Sequence, residues 1–262
     1  MIEQIIVMIV IGTAAGIVGA MVGVGGGIII SPVLTFMGLN PAQISSTSLI
    51  SVSSTSLSST IAYSRQGKIK YHLGIRMASF AIPGAAIGAM LSSILPLGQF
   101  KMYFAIILFL TGIYLWVRNN IGRKGDIKGY PSTYNKRTGN LILSAGCLAA
   151  GLVSSLFGIG GGIIFVPLML VVLNLTMSTA AATSQLSLLI TSIVGNVVHI
   201  SLGHPEYLPA IFLSIGSVIG AQIGANLSRY VSDTLLVRLL SISLIVVSGK
   251  LLFDSISSEY FR

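Results

Sequence analysis

The chain has 262 residues, 53% of them hydrophobic and only 8% charged, where an ordinary water-soluble domain carries about 25% charged residues. That balance excludes a soluble fold, and the formal charge of +9 does not point to nucleic acid, because the Lys and Arg residues gather between apolar stretches and form no aromatic-interleaved stripe. The single cysteine, Cys147, excludes an intrachain disulfide and a thiolate metal cluster; separately, no motif leads us to expect a metal or a cofactor.

In chain order, eight apolar segments are predicted, each long enough for a bilayer that needs roughly 20 residues per crossing. They cover about 5–37, 41–63, 73–95, 99–118, 139–175, 177–202, 207–228 and 233–253. The first is not a signal peptide: Glu3 is its only early charge, and no basic region precedes it. It contains GVGGGIIISPVL at 23–34, and the fifth contains GIGGGIIFVPLM at 158–169. The second is unusual for a membrane span, because twelve of the sixteen residues from Ser45 to Thr60 are Ser or Thr. Between the fourth and fifth, residues 119–138 hold Arg123, Lys124, Lys128, Lys136 and Arg137, a composition suited to a cytoplasmic linker.

Self-comparison shows a duplication. Gly16 matches Gly151 and the GxGGGII block repeats at a spacing of 135, with seven of the twelve quoted residues identical. At a spacing of 136, Thr47-Ser48 meets Thr183-Ser184, Tyr63 meets His199, Gly67 meets Gly203, and GAAIGA from Gly84 meets GAQIGA from Gly220. The organisation is therefore an all-α polytopic membrane protein with an N-terminal repeat (1–118), a linker (119–138) and a C-terminal repeat (139–262), each repeat holding four segments.

Parity sets the relation between the repeats. If all four segments cross, the halves share one orientation; if the first only dips in and returns, they are inverted. Either arrangement puts twelve of the fifteen Lys and Arg residues inside. Segments one and five are too long for one straight crossing at 1.5 Å per residue, and each is broken by glycine near its middle, which favours hairpins and inverted repeats. The acid-bearing, base-free loop 203–206 also suits the outside.

The glycine clusters do not fit a dinucleotide fingerprint, because the sixth position is Ile28 or Ile163 and not Gly; nor does a Lys followed by Ser or Thr close either one, as a P-loop requires. A backbone break within the hydrocarbon zone is tolerated where it lines a cavity or is covered by protein, and matched breaks in two halves point to a transporter's binding site. After Gly27 and Gly162 a helix resumes, so its first free N–H groups and positive dipole end face the break, as an anion would require. The competing reading is close helix packing by small residues. Candidate substrate contacts are Gly23, Gly25, Gly26, Gly27, Gly158, Gly160, Gly161 and Gly162, with Thr47, Ser48, Thr183 and Ser184 expected to open the following helices and offer hydroxyl donors. Gln185, standing where the first half has Leu49, adds an amide, and Asn196 and Gln222 are further polar positions. No Asp or Glu falls in the middle of a segment, which removes a mid-membrane carboxylate relay. His199 is the one titratable candidate for proton coupling.

The paired GxGGGxxxxP blocks, the Thr-Ser in the following segment of each half and the basic central linker resemble the TauE/SafE sulfite-exporter family, also called toluene sulfonate uptake permeases. The resemblance covers nearly the whole chain. It implies a bacterial or archaeal inner-membrane secondary transporter for small sulfur-containing anions such as sulfite, sulfoacetate or taurine-like sulfonates, with the substrate path near Gly23–Gly27 and Gly158–Gly162. Alternatives in other classes are an anion channel and an intramembrane enzyme, though neither GxSG nor HExxH occurs. The coupling ion (proton or sodium), the direction of transport and a homo-oligomeric assembly stay open on the residues alone.

Overall fold

The computed structural model describes residues 2–121 and 136–250, apart from 233, 236, 237, 239, 240 and 243. The basic linker expected at 119–138 lies outside the described residues over 122–135. All regular secondary structure among the described residues is helical, with no strand. The helices are α1 (Ile2–Val22), α2 (Gly27–Phe36), α3 (Pro41–Arg65), α4 (Tyr71–Leu91) and α5 (Leu97–Ile121), followed by α6 (Lys136–Phe157), α7 (Gly162–Val171), α8 (Met177–Ser201) and α9 (Tyr207–Leu227); residues 244–250 are helical as well.

Among the described residues, five helical stretches are long and apolar enough to cross a membrane: Ile2–Val22, Tyr71–Leu91, Gly139–Phe157, Met177–Ser201 and Tyr207–Leu227. Helix α3 has 25 residues, about 37 Å at 1.5 Å each, but its hydroxyls keep it out of that group. They are nonetheless compatible with burial: Thr55 and Ser59 donate to carbonyls four residues back, 2.9 and 2.7 Å away, so these hydroxyls carry their own partners.

The expected single segments 5–37 and 139–175 are each two helices. Gly23, Gly25 and Gly26 in the first break, and Gly158 and Gly160 in the second, have φ between 68° and 86°, a region open to glycine at little cost. Pro32 and Pro167 lie inside α2 and α7, one turn past the breaks. The expectation that Thr47 and Thr183 open helices is corrected. Helix α3 begins six residues earlier, where Pro41 at its first turn and a reciprocal Asn40–Gln43 capping box fix the start. Helix α8 begins at Met177, capped by the Thr176 side chain.

Packing crosses between the halves. Helix α1 lies along α9, and α6 along α4, with backbone meeting backbone at glycines. A Cβ on Gly12 or Gly16 would strike the Leu213 or Ser217 carbonyl, and one on Gly216, Gly220 or Gly224 would strike that of Ile9, Thr13 or Ile17. The α4–α6 contact repeats this, with Gly84 on Leu148, Gly88 on Leu152 and Gly151 on Ala81. Small residues four apart let membrane helices approach this closely.

Hydrogen bonds sort the helix ends into two groups. The Glu206 N–H, at the start of α9, donates to Thr47 Oγ1 near the start of α3 (3.1 Å), and the ends of the same helices meet through Gln66 Nε2 donating to Ala225 O (3.0 Å). The Lys70 N–H, at the start of α4, donates to Thr183 Oγ1 near the start of α8 (3.1 Å). Helices α3 and α8 run past each other in opposite directions: the end of α3 lies beside the end of α1, through Tyr63 and Ala20, where Ser184 near the start of α8 also reaches the first break.

Candidate functional site

The two breaks touch at the centre of the molecule. A Cβ on Gly27 would collide with Gly158 O and Ile159 Cα, and one on Gly162 would collide with Gly23 O and Val24 Cα. Val52 and Leu188, each midway along its helix, both stand against Gly25 and both against Gly160. The eight predicted glycines therefore form one buried unit, flanked by an apolar pair.

Each break is held by the other half's hydroxyls. Ser48 Oγ donates to Gly158 O at 2.6 Å, and Ser184 Oγ donates to Gly23 O at 2.7 Å. Ser31 Oγ donates to Phe157 O at 2.8 Å and lies 3.0 Å from Ser48 Oγ. Thr47 and Thr183 stand away from the breaks and accept the cap N–H groups already described. Asn196 Nδ2 bonds Ser53 Oγ (3.1 Å), and Gln222 Nε2 bonds Ser58 O (2.8 Å). Both amide nitrogens are thus partnered across helices, while Asn196 Oδ1 is buried without a partner.

The loop N–H groups divide in two. Those of Gly23, Val24 and Gly25 all reach Gly19 O, at 3.0, 2.9 and 3.2 Å. Those of Gly26, Gly27 and Ile28, and of the matching Gly161, Gly162 and Ile163, donate to no carbonyl or side chain among the described residues. These buried groups sit at the positive ends of α2 and α7, with no charged side chain at either break. A buried unpaired N–H carries a free-energy cost, and a polar guest relieves it. The cleft beside the first break, lined by Gly19, Val24, Gly26 and Ile28 among others, has a free volume of about 10 Å³, the room of roughly one water. The arrangement is closed.

His199 is fully buried. Its Nε2–H donates to Ser155 O at 3.0 Å, which leaves Nδ1 to accept from His204 Nδ1–H, also at 3.0 Å. Tyr63, its counterpart by the repeat, donates to Ala20 O, the counterpart of Ser155, at 2.9 Å. The two aromatic groups therefore hold equivalent carbonyls three residues before the two breaks.

Gln185 and Ser56 complete the first break. Gln185 Nε2 donates to Gly19 O at 2.8 Å, while Gln185 Oε1 and Ser56 Oγ, both buried, have no partner. Ser56 faces Gly25. It escaped the sequence reading because it is one of twelve hydroxyls in a row; its one signal is its place a turn after Val52 on the face turned to the glycines.

Three comparisons place the chain. The family model described as "Sulfite exporter TauE/SafE" matches residues 8–251. The "Probable membrane transporter protein YunE" of Bacillus subtilis is 31% identical, over 97% of this chain and 99% of that protein. The "Probable membrane transporter protein YfcA" of Escherichia coli K12 is 22% identical, over 97% and 91%, and the "Probable membrane transporter protein MJ0441" of Methanocaldococcus jannaschii is 24% identical, over 92% of each. No solved structure matches. A match across nearly the whole length, to a family of membrane transporters and not of enzymes, means that this multi-pass membrane protein belongs to the TauE/SafE sulfite exporter family.

Proposed function

We propose that the chain is a secondary transporter for small sulfur-containing anions such as sulfite or organosulfonates, working in a bacterial or archaeal inner membrane by alternating access. The observation that carries this reading is the pair of facing helix starts, Gly26–Ile28 and Gly161–Ile163, whose buried N–H groups lack partners. Amide hydrogens at the positive ends of two helices favour an oxyanion without placing a countercharge in the membrane. In this reading the glycines of both breaks, with Ser48, Ser184 and Gln185, line the substrate position.

The halves are read as inverted repeats. Helices α1 and α2 form a hairpin, since Gly26 lies back against Ala15 and Ser31 reaches the neighbourhood of Ser48 near the start of α3. Three crossings then follow in each half. Arg65, Lys68, Lys70 and Arg76 fall on the side of the linker, which the charge bias makes cytoplasmic. Rocking the group of α1, α3 and α9 against that of α4, α6 and α8 would separate Gly27 from Gly158 and Gly162 from Val24, and so open the closed centre to one side.

The test is sulfite flux in proteoliposomes. Gly26→Leu and Gly161→Leu are expected to abolish saturable, counterflow-competent uptake in protein that still inserts in the membrane. Normal flux in either variant sinks the reading, and unsaturable flux in the wild type would make the chain a channel.

A further inference from the structure

We propose that Gln185 is a specificity-determining residue, whose free carbonyl oxygen selects anions that carry one hydrogen-bond donor of their own. The inference rests on the reading of the breaks as the anion site and narrows its substrate class to hydroxy- or amino-substituted oxyanions.

The orientation of the amide is fixed by its neighbour. Gly19 O accepts from Gln185 Nε2 at 2.8 Å, and turning the amide over would set two acceptors against each other. The oxygen is therefore the unpartnered atom, on a side chain with no exposed surface. The other free groups at this break are the N–H donors of Gly26, Gly27 and Ile28 and the hydroxyl of Ser56, which can donate or accept. Donors alone suit the oxygens of any sulfonate or sulfite. One acceptor among them is satisfied only by an N–H or O–H, and a ligand lacking it leaves Oε1 buried and unpaired.

The second break lacks that amide. Its equivalent of Gln185 is Leu49, fully buried and apolar, and its equivalent of Ser56 is Ser192, whose hydroxyl already donates to Leu189 O at 3.2 Å. The Gln185 amide thus stands at one break and not at the other. Gln185 is not required to hold the loop, since Gly19 O keeps three backbone donors without it.

The experiment compares isethionate with propane-1-sulfonate, which replaces the hydroxyl by a methyl group, by calorimetric titration of the full chain in nanodiscs, with sulfite as a third ligand. The wild type is expected to bind isethionate about tenfold more tightly. Gln185→Met should bind the two sulfonates equally, whereas Ser56→Ala should weaken both alike and keep the preference. Equal binding by the wild type overturns the proposal without reference to any variant, as does a preference that survives in Gln185→Met. Sulfite binding with neither sulfonate bound overturns it too, while leaving the anion site standing. A wild type that binds none of the three ligands overturns the anion reading itself.

Discussion

The two glycine breaks share a sequence pattern and differ in backbone and in surroundings, for Gly26 is left-handed at φ 81° where the matching Gly161 has φ −67°. Both are pinned by a serine from the opposite half and backed by an aromatic donor to an equivalent carbonyl. Around the first, the donor is a tyrosine and the neighbouring helix brings a glutamine; around the second, they are a histidine paired with another histidine, and a leucine. What the halves hold in common makes the fold, and what they do not share is where the chemistry of this chain departs from its symmetry.

The helix crossings test the common part most severely. Gly151→Leu sets a side chain on the Ala81 carbonyl and Gly16→Leu sets one on Ser217. Each should destabilise the protein by about 3 kcal/mol or more, read as loss of the monodisperse peak in detergent. Gly249→Leu, where a Cβ meets nothing within 4 Å, should leave that peak intact. A crossing variant that stays folded would break the picture of two equivalent crossings.

A smaller effect is expected at the pinning serines. Ser48→Ala and Ser184→Ala each leave a buried loop carbonyl without its hydroxyl donor, at a cost of about 1–3 kcal/mol apiece. Thermal unfolding should show similar losses for both; a loss in only one would mean that only one break is held from across.

The smallest expected effect separates the aromatic donors. Burial holds the His204 pKa below its ordinary value of 6.5, so the unfolded chain takes up protons before the folded one does. Its contribution to stability is complete above pH 6.5 and declines as pH falls below that value. A proton there also sets a charge beside His199 Nδ1, with Glu206 two residues along the same loop. Melting temperature should therefore fall from pH 7.5 to 5.5 in the wild type and fall less in His204→Gln. Tyr63→Phe should lower stability equally at both pH values, since nothing at the first break titrates in that window.

Much of this was legible in the residues. The duplicated GxGGG blocks located both breaks, and the repeat register paired Thr47 with Thr183 and Ser48 with Ser184. It could not assign those residues their partners, because a repeat states which positions are equivalent and not which half each one touches. Thr47 and Thr183 were expected at helix starts, whereas Asn40 and Thr176 cap those helices and the repeated threonines receive N–H groups from the other half. Tyr63 and His199 aligned as a departure, yet they reach the same carbonyl, a likeness of geometry that unlike side chains conceal. Ser56 was hidden by abundance, since one free hydroxyl among twelve looks like its neighbours until the bonds of the others are assigned.

The exchange of partners between halves also governs how the molecule is made. Ser217 bonds the Gly12 carbonyl across 205 positions of chain, so α1 leaves the ribosome long before the helix it will lie against has been synthesised. Until then its row of glycines faces lipid or whatever escort the insertion machinery provides. Either half synthesised alone should therefore be a target for membrane quality control, and the two co-expressed as separate polypeptides should rescue each other.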